Sequence, residues 1–174
     1  METFTVRLQS IHQETPSIKR FVFELAEPGF DFLPGQWIDL SVKLDQAQAV
    51  GGYSLISAPQ HPNRSLEIAV KAAADHPVTH YLHEQAQIGE SFEISAAQGA
   101  CVYDPEMGNQ IVLIAGGIGI TPMLSIFRTI CTQEPETQVA LLYSARVPEE
   151  LAFAAEIRAA AEQYEHTLAV FSCT

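Results

Sequence analysis

Gly116, Gly117 and Gly119, followed at once by Thr121 and Pro122, are the residues whose types and spacing speak most directly of chemistry. Glycines permit backbone conformations closed to residues with a Cβ and leave room for a ligand to reach the main chain. Threonine can cap the free N–H groups of a helix, and proline suits the first helical position because its missing N–H costs nothing there. The apolar run Ile111 to Ala115 precedes the glycines without alternation, as in a strand buried on both faces. Met123, Ile126, Phe127, Ile130 and Cys131 follow at helical spacing. The unit reads as strand, glycine turn, helix, and it aims N–H groups and the positive end of a helix dipole at one point, where a phosphate binds. The expected ligand is a nucleotide; the alternative is an ordinary tight strand-to-helix turn. No lysine follows the last glycine as in a P-loop, and Pro122 stands at the third glycine position of the usual dinucleotide fingerprint.

The elements around this turn fall into two groups. Before Gly99 the chain reads as short strands between turn signals: Phe4, Val6 and Leu8 alternate with polar residues, and Ile18–Leu25, Trp37–Val42, Gly52–Ser57, Leu66–Ala72 and Phe92–Ser95 follow. Pro28-Gly29, Ala58-Pro59 and Pro62-Asn63 act as breakers, and a single helix is expected between Val78 and Ala86. Six short strands with one helix among them predict a small closed antiparallel barrel, because closure removes exposed edges. Residues 104–109 have the makeup of a linker. Beyond it strand and helix alternate: Val139–Tyr143 is the next strand, Pro148-Glu149-Glu150 opens a helix buried through Phe153, Ile157, Ala160 and Tyr164, and Leu168–Phe171 is a third strand. That alternation predicts a doubly wound parallel α/β domain. The expected domains are residues 1–103 and 104–174.

Composition narrows the function. The 174 residues carry a formal net charge of −12 with nine Lys and Arg, which argues against a nucleic-acid or acidic-lipid surface. No apolar run approaches a membrane span and the start lacks a signal-peptide pattern, so a cytoplasmic protein without membrane contact is expected. Cys101, Cys131 and Cys173 form no Cys-x-x-Cys pair, and Cys131 is expected to pack as a small apolar residue. His76, His80 and His83 have spacing that places them on one helical face; a solvated face explains this better than a metal site, and no metal is expected.

The order of these features resembles the ferredoxin–NADP reductase-like flavoproteins, in which a flavin barrel precedes a pyridine-nucleotide domain. The resemblance spans essentially the whole chain. It rests on Pro34-Gly35-Gln36-Trp37, Tyr53 to Pro59, Val70-Lys71, Gly116 to Pro122 and Tyr143-Ser144-Ala145-Arg146, and the Gly51-Gly52-Tyr53-Ser54 form and the Asp75-His76-Pro77 stretch look most like the oxidoreductase NAD-binding domain-containing branch. It implies FAD, or FMN, as cofactor and NADP or NAD as the nucleotide. It also implies hydride transfer to the flavin, with electrons passed on to an unidentified acceptor. Tyr53 matches the aromatic wall of the flavin and Ser54 the hydroxyl at its reactive edge, the one residue assigned a catalytic role. Val70, Lys71 and Thr79 match further flavin contacts, while Gly116, Gly117, Gly119, Thr121, Pro122, Ser144 and Arg146 match the nucleotide contacts. Arg146 at a strand end favours NADP through the 2′-phosphate; the plain alternative is a surface pair with Glu149 or Glu150.

The chain departs from the family pattern in three places. Gly51 stands where the family has an arginine that grips the flavin phosphate, and His76-Pro77-Val78-Thr79 replaces a Gly-x-Val-Ser phosphate contact, with Thr79 keeping the hydroxyl. The Cys-Gly-Pro segment that lies beside the nicotinamide is not matched by Cys173, so the nucleotide domain reads as incomplete and its sheet as left with an unprotected edge. These departures keep open a second reading, a non-catalytic flavin- or nucleotide-binding module or regulatory subunit. The oligomeric state is left open.

Overall fold

The computed structural model describes residues 2–27, 29–44 and 47–174. Pro28, half of the expected Pro28-Gly29 turn, lies outside them. In the first half, β1 (Thr3–Gln13), β2 (Ile18–Leu25), β3 (Trp37–Leu44), β4 (Ala47–Ser54), β5 (Ser65–Lys71) and β6 (Ser91–Ser95) form one antiparallel sheet in the order β4-β3-β6-β1-β2-β5. β4 and β5 end that order, and the bridge from Leu55 to Ile68 joins them, so the expected closure of the barrel rests on one residue pair. Alternation decides which side faces in: Val6, Leu8, Phe21, Phe23, Ile38 and Leu40 have no exposed surface. Each such side chain contributes about 1.5–3 kcal/mol of burial. Helix α1 (Pro77–Glu84) covers one end of this core through Val78 and Leu82.

β4 begins five residues before the strand expected at Gly52 and ends at Ser54. Glycine usually weakens a strand interior, but here it lets aromatic rings lie on the backbone. A Cβ on Gly52 would come within 3.2 Å of the Trp37 ring, and one on Gly51 within 2.8 Å of the Tyr53 ring.

In the second half β7 (Gln110–Gly116), β8 (Gln138–Ala145) and β9 (Thr167–Cys173) pair in parallel, in sequence order. Residues 104–109, read as linker, contain a 3₁₀ turn at Pro105–Met107, where the Asp104 carboxylate accepts the Glu106 N–H at 2.9 Å. Helix α2 (Ile120–Gln133) and helix α3 (Ala154–Gln163) join the strands. Pro148 opens a 3₁₀ turn rather than the helix itself; α3 starts six residues later, after Phe153, which has φ 61°.

The strand expected to be buried on both faces is buried on one. Leu113 and Ala115 join Leu141, Tyr143, Leu124, Phe127 and Ile157 in a core, whereas Val112, Ile114, Leu142, Leu168 and Val170 are exposed, Ile114 by 73%. The cause is handedness. Two right-handed crossovers that step in the same direction along a sheet put both helices on the same face.

Helix α2 is packed between this sheet and the barrel, and Ile18, Ile56 and Ala69 of the barrel half enter its core cluster. Cys131 is buried there as expected, and burial pushes its thiol up to about 12. Among the described residues no helix is long and apolar enough to cross a membrane.

Candidate functional site

A cleft of about 400 Å³ lies where the two halves meet. Gly52, Tyr53, Ser54, Ala69, Val70, Lys71 and Thr79 form its barrel side; Ile118, Gly119, Thr121 and Pro122 form the other. The ends of β4 and β5 are brought side by side by the Leu55–Ile68 bridge, which is why two motifs separated by many residues share one wall. Tyr53 is half-buried, and its hydroxyl lies 3.0 Å from the Thr79 hydroxyl. Burial raises the Tyr53 phenol above its ordinary value, and the Thr79 contact offsets part of that rise. Thr79 is buried, whereas Lys71 is exposed. The Val70 side chain belongs to the barrel core, and its carbonyl accepts from His83 Nε2 at 2.9 Å.

The glycine turn differs in detail from its sequence reading. Gly117–Gly119 form a 3₁₀ turn, Gly119 is the N-cap of α2, and no side chain caps that helix. Thr121 and Pro122 are therefore its second and third residues, not the cap and the first. The Thr121 hydroxyl donates to the Ile118 carbonyl at 3.0 Å inside the turn. Of the three glycines only Gly117 has a left-handed φ, +52°, and a Cβ on Gly117 or Gly119 would meet nothing within 4 Å. A fourteen-residue helix thus begins without a side-chain cap beside open space, which suits an anion.

Gly116, Gly117, Ser144 and Arg146 lie outside the lining of the cleft. Gly116 pairs in register with Ser144 at the C-terminal ends of β7 and β8, the end at which open parallel sheets take ligands. Arg146 follows on the exposed loop. Its suggested partner Glu150 instead accepts from the Ser17 hydroxyl at 2.6 Å and from Thr15 at 3.4 Å, and Arg146 forms no ion pair among the described residues.

The histidines share no ligand set. His76 is the N-cap of α1, its Nδ1 accepting the Thr79 N–H at 3.3 Å, and His83 is engaged with Val70. No group of three or more metal-ligating side chains occurs among the described residues.

The sequence reading passed over the contacts that join the two walls. From α2, Ser125 donates to the Ser57 carbonyl at 2.7 Å, Arg128 to the Ile56 carbonyl at 2.8 Å and Gln133 to the Pro59 carbonyl at 2.9 Å. Arg128 also reaches Glu67 of β5 at 3.0 Å and grips Glu156 of α3 in a two-pronged contact at 2.6 and 2.8 Å. Burial disfavours its charge, but the two carboxylates outweigh that and leave its pKa raised. The signal in the sequence was a polar stripe at helical spacing, indistinguishable from a solvated face.

A single antiparallel barrel feeding a parallel α/β unit, with a glycine turn at their junction, is the arrangement of the paired FAD-binding and NAD-binding oxidoreductase domains. Residues 5–103 match the oxidoreductase FAD-binding domain and residues 113–174 the oxidoreductase NAD-binding domain. The chain belongs to this ferredoxin–NADP reductase-like family. It is 36% identical to oxidoreductase NAD-binding domain-containing protein 1 of Danio rerio, over 72% of this chain and 47% of the relative. It is 35% identical to a flavohemoprotein of Bacillus subtilis, over 80% of this chain and 34% of that protein. Among solved structures, the FAD/NAD-binding domain of nitric oxide dioxygenase from Vibrio cholerae superposes with a TM-score of 0.86 at 29% identity, covering 97% of this chain and 73% of that one. The chain spans about half the length, or less, of the curated relatives it matches.

The residues present fit the ring end of a flavin better than its phosphate end. A half-buried tyrosine and the Ser54 hydroxyl offer a flat wall and a polar edge. Lys71 is the one cation in the lining.

Proposed function

We propose that this chain binds a pyridine nucleotide at the uncapped start of α2 and a flavin in the adjoining cleft, passing hydride from the first to the second and electrons on to an acceptor. The observation that carries this reading is the shared cleft: Tyr53, Ser54 and Thr79 of the barrel face Gly119, Thr121 and Pro122 of the turn. A bound flavin supplies the hydride-accepting ring. Tyr53 provides its wall, Ser54 holds a hydroxyl toward its polar edge, and Val70, Lys71 and Thr79 border it. Gly116, Gly117, Gly119, Thr121 and Pro122 form the nucleotide's phosphate turn, with Ser144 and Arg146 toward its ribose. No general base is required, because positioning is the protein's main contribution. Residues 1–103 and 104–174 act as the two domains. An acidic chain with no membrane-spanning helix among its described residues suits work in the cytoplasm.

Two expected results test this reading. These 174 residues bind FAD or FMN at micromolar concentration, visible as a change in flavin fluorescence, but the bound flavin is reduced slowly. A three-stranded sheet with one uncovered face holds the nucleotide's reactive ring loosely, and misplacement by an ångström costs on the order of a hundredfold in rate. Stopped-flow mixing with NADPH and NADH checks this: reduction faster than about 10 s⁻¹, typical of competent enzymes, contradicts the slow-transfer expectation. No reduction at all by either nucleotide favours the alternative, a binding module.

The second result concerns the nucleotide. Arg146 stands free after β8 with no acid beside it in the sequence until Glu149, so NADP is the expected partner. Loss of a charge-assisted phosphate contact costs about 1.5–3 kcal/mol. Arg146→Ala therefore weakens NADP binding far more than NAD binding in calorimetric titrations; equal losses assign Arg146 elsewhere.

A further inference from the structure

Two helices begin at the cleft, and they begin differently. α2 has no side-chain cap, whereas the start of α1 is capped by the His76 ring. Pro77 has no N–H to offer, and the Thr79 N–H is taken by His76 Nδ1. The Thr79 hydroxyl is engaged by Tyr53. On the barrel side, then, Pro77 offers no donor, and the Thr79 N–H and hydroxyl, which would otherwise face a phosphate at this helix start, are engaged by the protein itself.

Gly51 completes this arrangement. Residues 51 and 53 of β4 point to the same face of the sheet, so any side chain at 51 would stand beside Tyr53. A Cβ there would lie 2.7 Å from the Tyr53 hydroxyl and 2.8 Å from its ring. The phenol therefore lies across the bare backbone of Gly51, in space that a longer side chain would use to reach an anion. The remaining cation of the lining, Lys71, is exposed, and the chain's net charge of −12 adds no attraction for a phosphate.

We infer that Gly51, Tyr53 and His76 make the flavin site indifferent to the flavin's phosphate: it recognises the ring and ribityl portion shared by riboflavin, FMN and FAD. The inference rests on the proposed flavin function and names the part of the ligand that is read. Its consequence is an exchangeable flavin, since a charge-assisted phosphate bond that would slow release is missing.

Titration of the unmodified chain with riboflavin, FMN and FAD, followed by flavin fluorescence at low and high salt, tests this. A charge-assisted contact tightens binding by roughly ten- to a hundredfold. Without one, riboflavin and FMN should bind within about threefold of each other, with little effect of salt. Gly51→Arg displaces Tyr53 and supplies a cation, so FMN should tighten by about tenfold or more relative to riboflavin and become salt-sensitive. His76→Gly frees the Thr79 N–H and should shift the same ratio in the same direction, which keeps the test independent of how well the arginine variant folds. FMN binding to the unmodified chain about tenfold tighter than riboflavin, weakened by salt, overturns the inference while leaving the flavin function standing. Failure of all three flavins to bind instead removes the flavin function and the inference with it. Variants that leave the FMN-to-riboflavin ratio unchanged overturn the assignment to Gly51 and His76.

Discussion

Gly35→Ala is expected to produce the largest loss of stability of any single methyl addition described for this chain. Leu33 to Gln36 form a β-turn closed by the Gln36 N–H donating to the Leu33 carbonyl at 3.1 Å, with Pro34 and Gly35 at its centre. Proline then glycine is the pattern of a turn whose third residue needs positive φ, and Gly35 has φ +98°. The turn is also wedged against the segment that leads into the second half of the chain and against helix α2. A Cβ on Gly35 would sit 2.2 Å from the Cys101 carbonyl oxygen and 3.2 Å from Ile126 of α2. The first of these neighbours is backbone and cannot rotate away. Backbone strain of about 1–3 kcal/mol adds to the overlap, for a total of roughly 3–5 kcal/mol. For a chain of this size that lowers the melting temperature by roughly 10 °C or more. Gly108→Ala is the matching control: it has φ +115° but nothing within 4 Å of its added Cβ, so it carries strain without overlap. Thermal melts followed by circular dichroism compare the two. Equal losses mean that the contact with Cys101 is of no consequence.

The second large effect belongs to Arg128. Arg128→Met keeps the length and apolar stem of the side chain but removes its hydrogen bonds to Ile56, Glu67 and Glu156. The Ile56 carbonyl then loses its donor between packed elements, and the Glu67 carboxylate, whose side chain is 21% exposed, is left with Arg20 alone, at 3.3 Å. Leaving the carbonyl unpaired and the carboxylate with one partner fewer costs about 2–4 kcal/mol. The loss is directional, because the contacts tie α2 to the segment that follows Tyr53 and Ser54. Hydrogen exchange should therefore quicken around Ile56 to Pro59 and the middle of α2 before the far strands β1 and β6. Glu156→Gln is a milder change, within about 1 kcal/mol, since the Glu156 side chain is 45% exposed and its pair with Arg128 is partly hydrated. Should the two substitutions destabilise equally, the work of Arg128 lies with α3 and not with the barrel.

Much of this architecture was readable from short-range pattern. Alternation located β1, turn signals bounded β2 and β6, helical spacing located the buried face of α2, and the Phe153, Ile157, Ala160, Tyr164 series located the packed side of α3. The glycine turn was legible because a strand end, three glycines and a helix start lie within a dozen residues. All of these are local properties, set by side-chain periodicity and by which residues tolerate which backbone angles.

Local pattern was silent wherever the deciding partner lies far along the chain. An unbroken apolar run in β7 reads as burial on both faces, yet the direction of two successive crossovers put α2 and α3 on one side and left Val112 and Ile114 exposed. Gly51 read as the loss of a cation; only the fold of β4 against α1 places Tyr53 across it and onto Thr79. His76 read as one of three histidines on a helix face, whereas its ring closes the start of that helix. Arg128 drew no reading from the sequence, and 72 positions separate it from the Ile56 carbonyl that it holds. The sequence by itself determined the elements, their order and the chemistry of the turn between the two domains. The tertiary structure decided which groups remain free to meet a ligand, because a polar group's availability depends on every neighbour that packing brings to it, including those most distant in the chain.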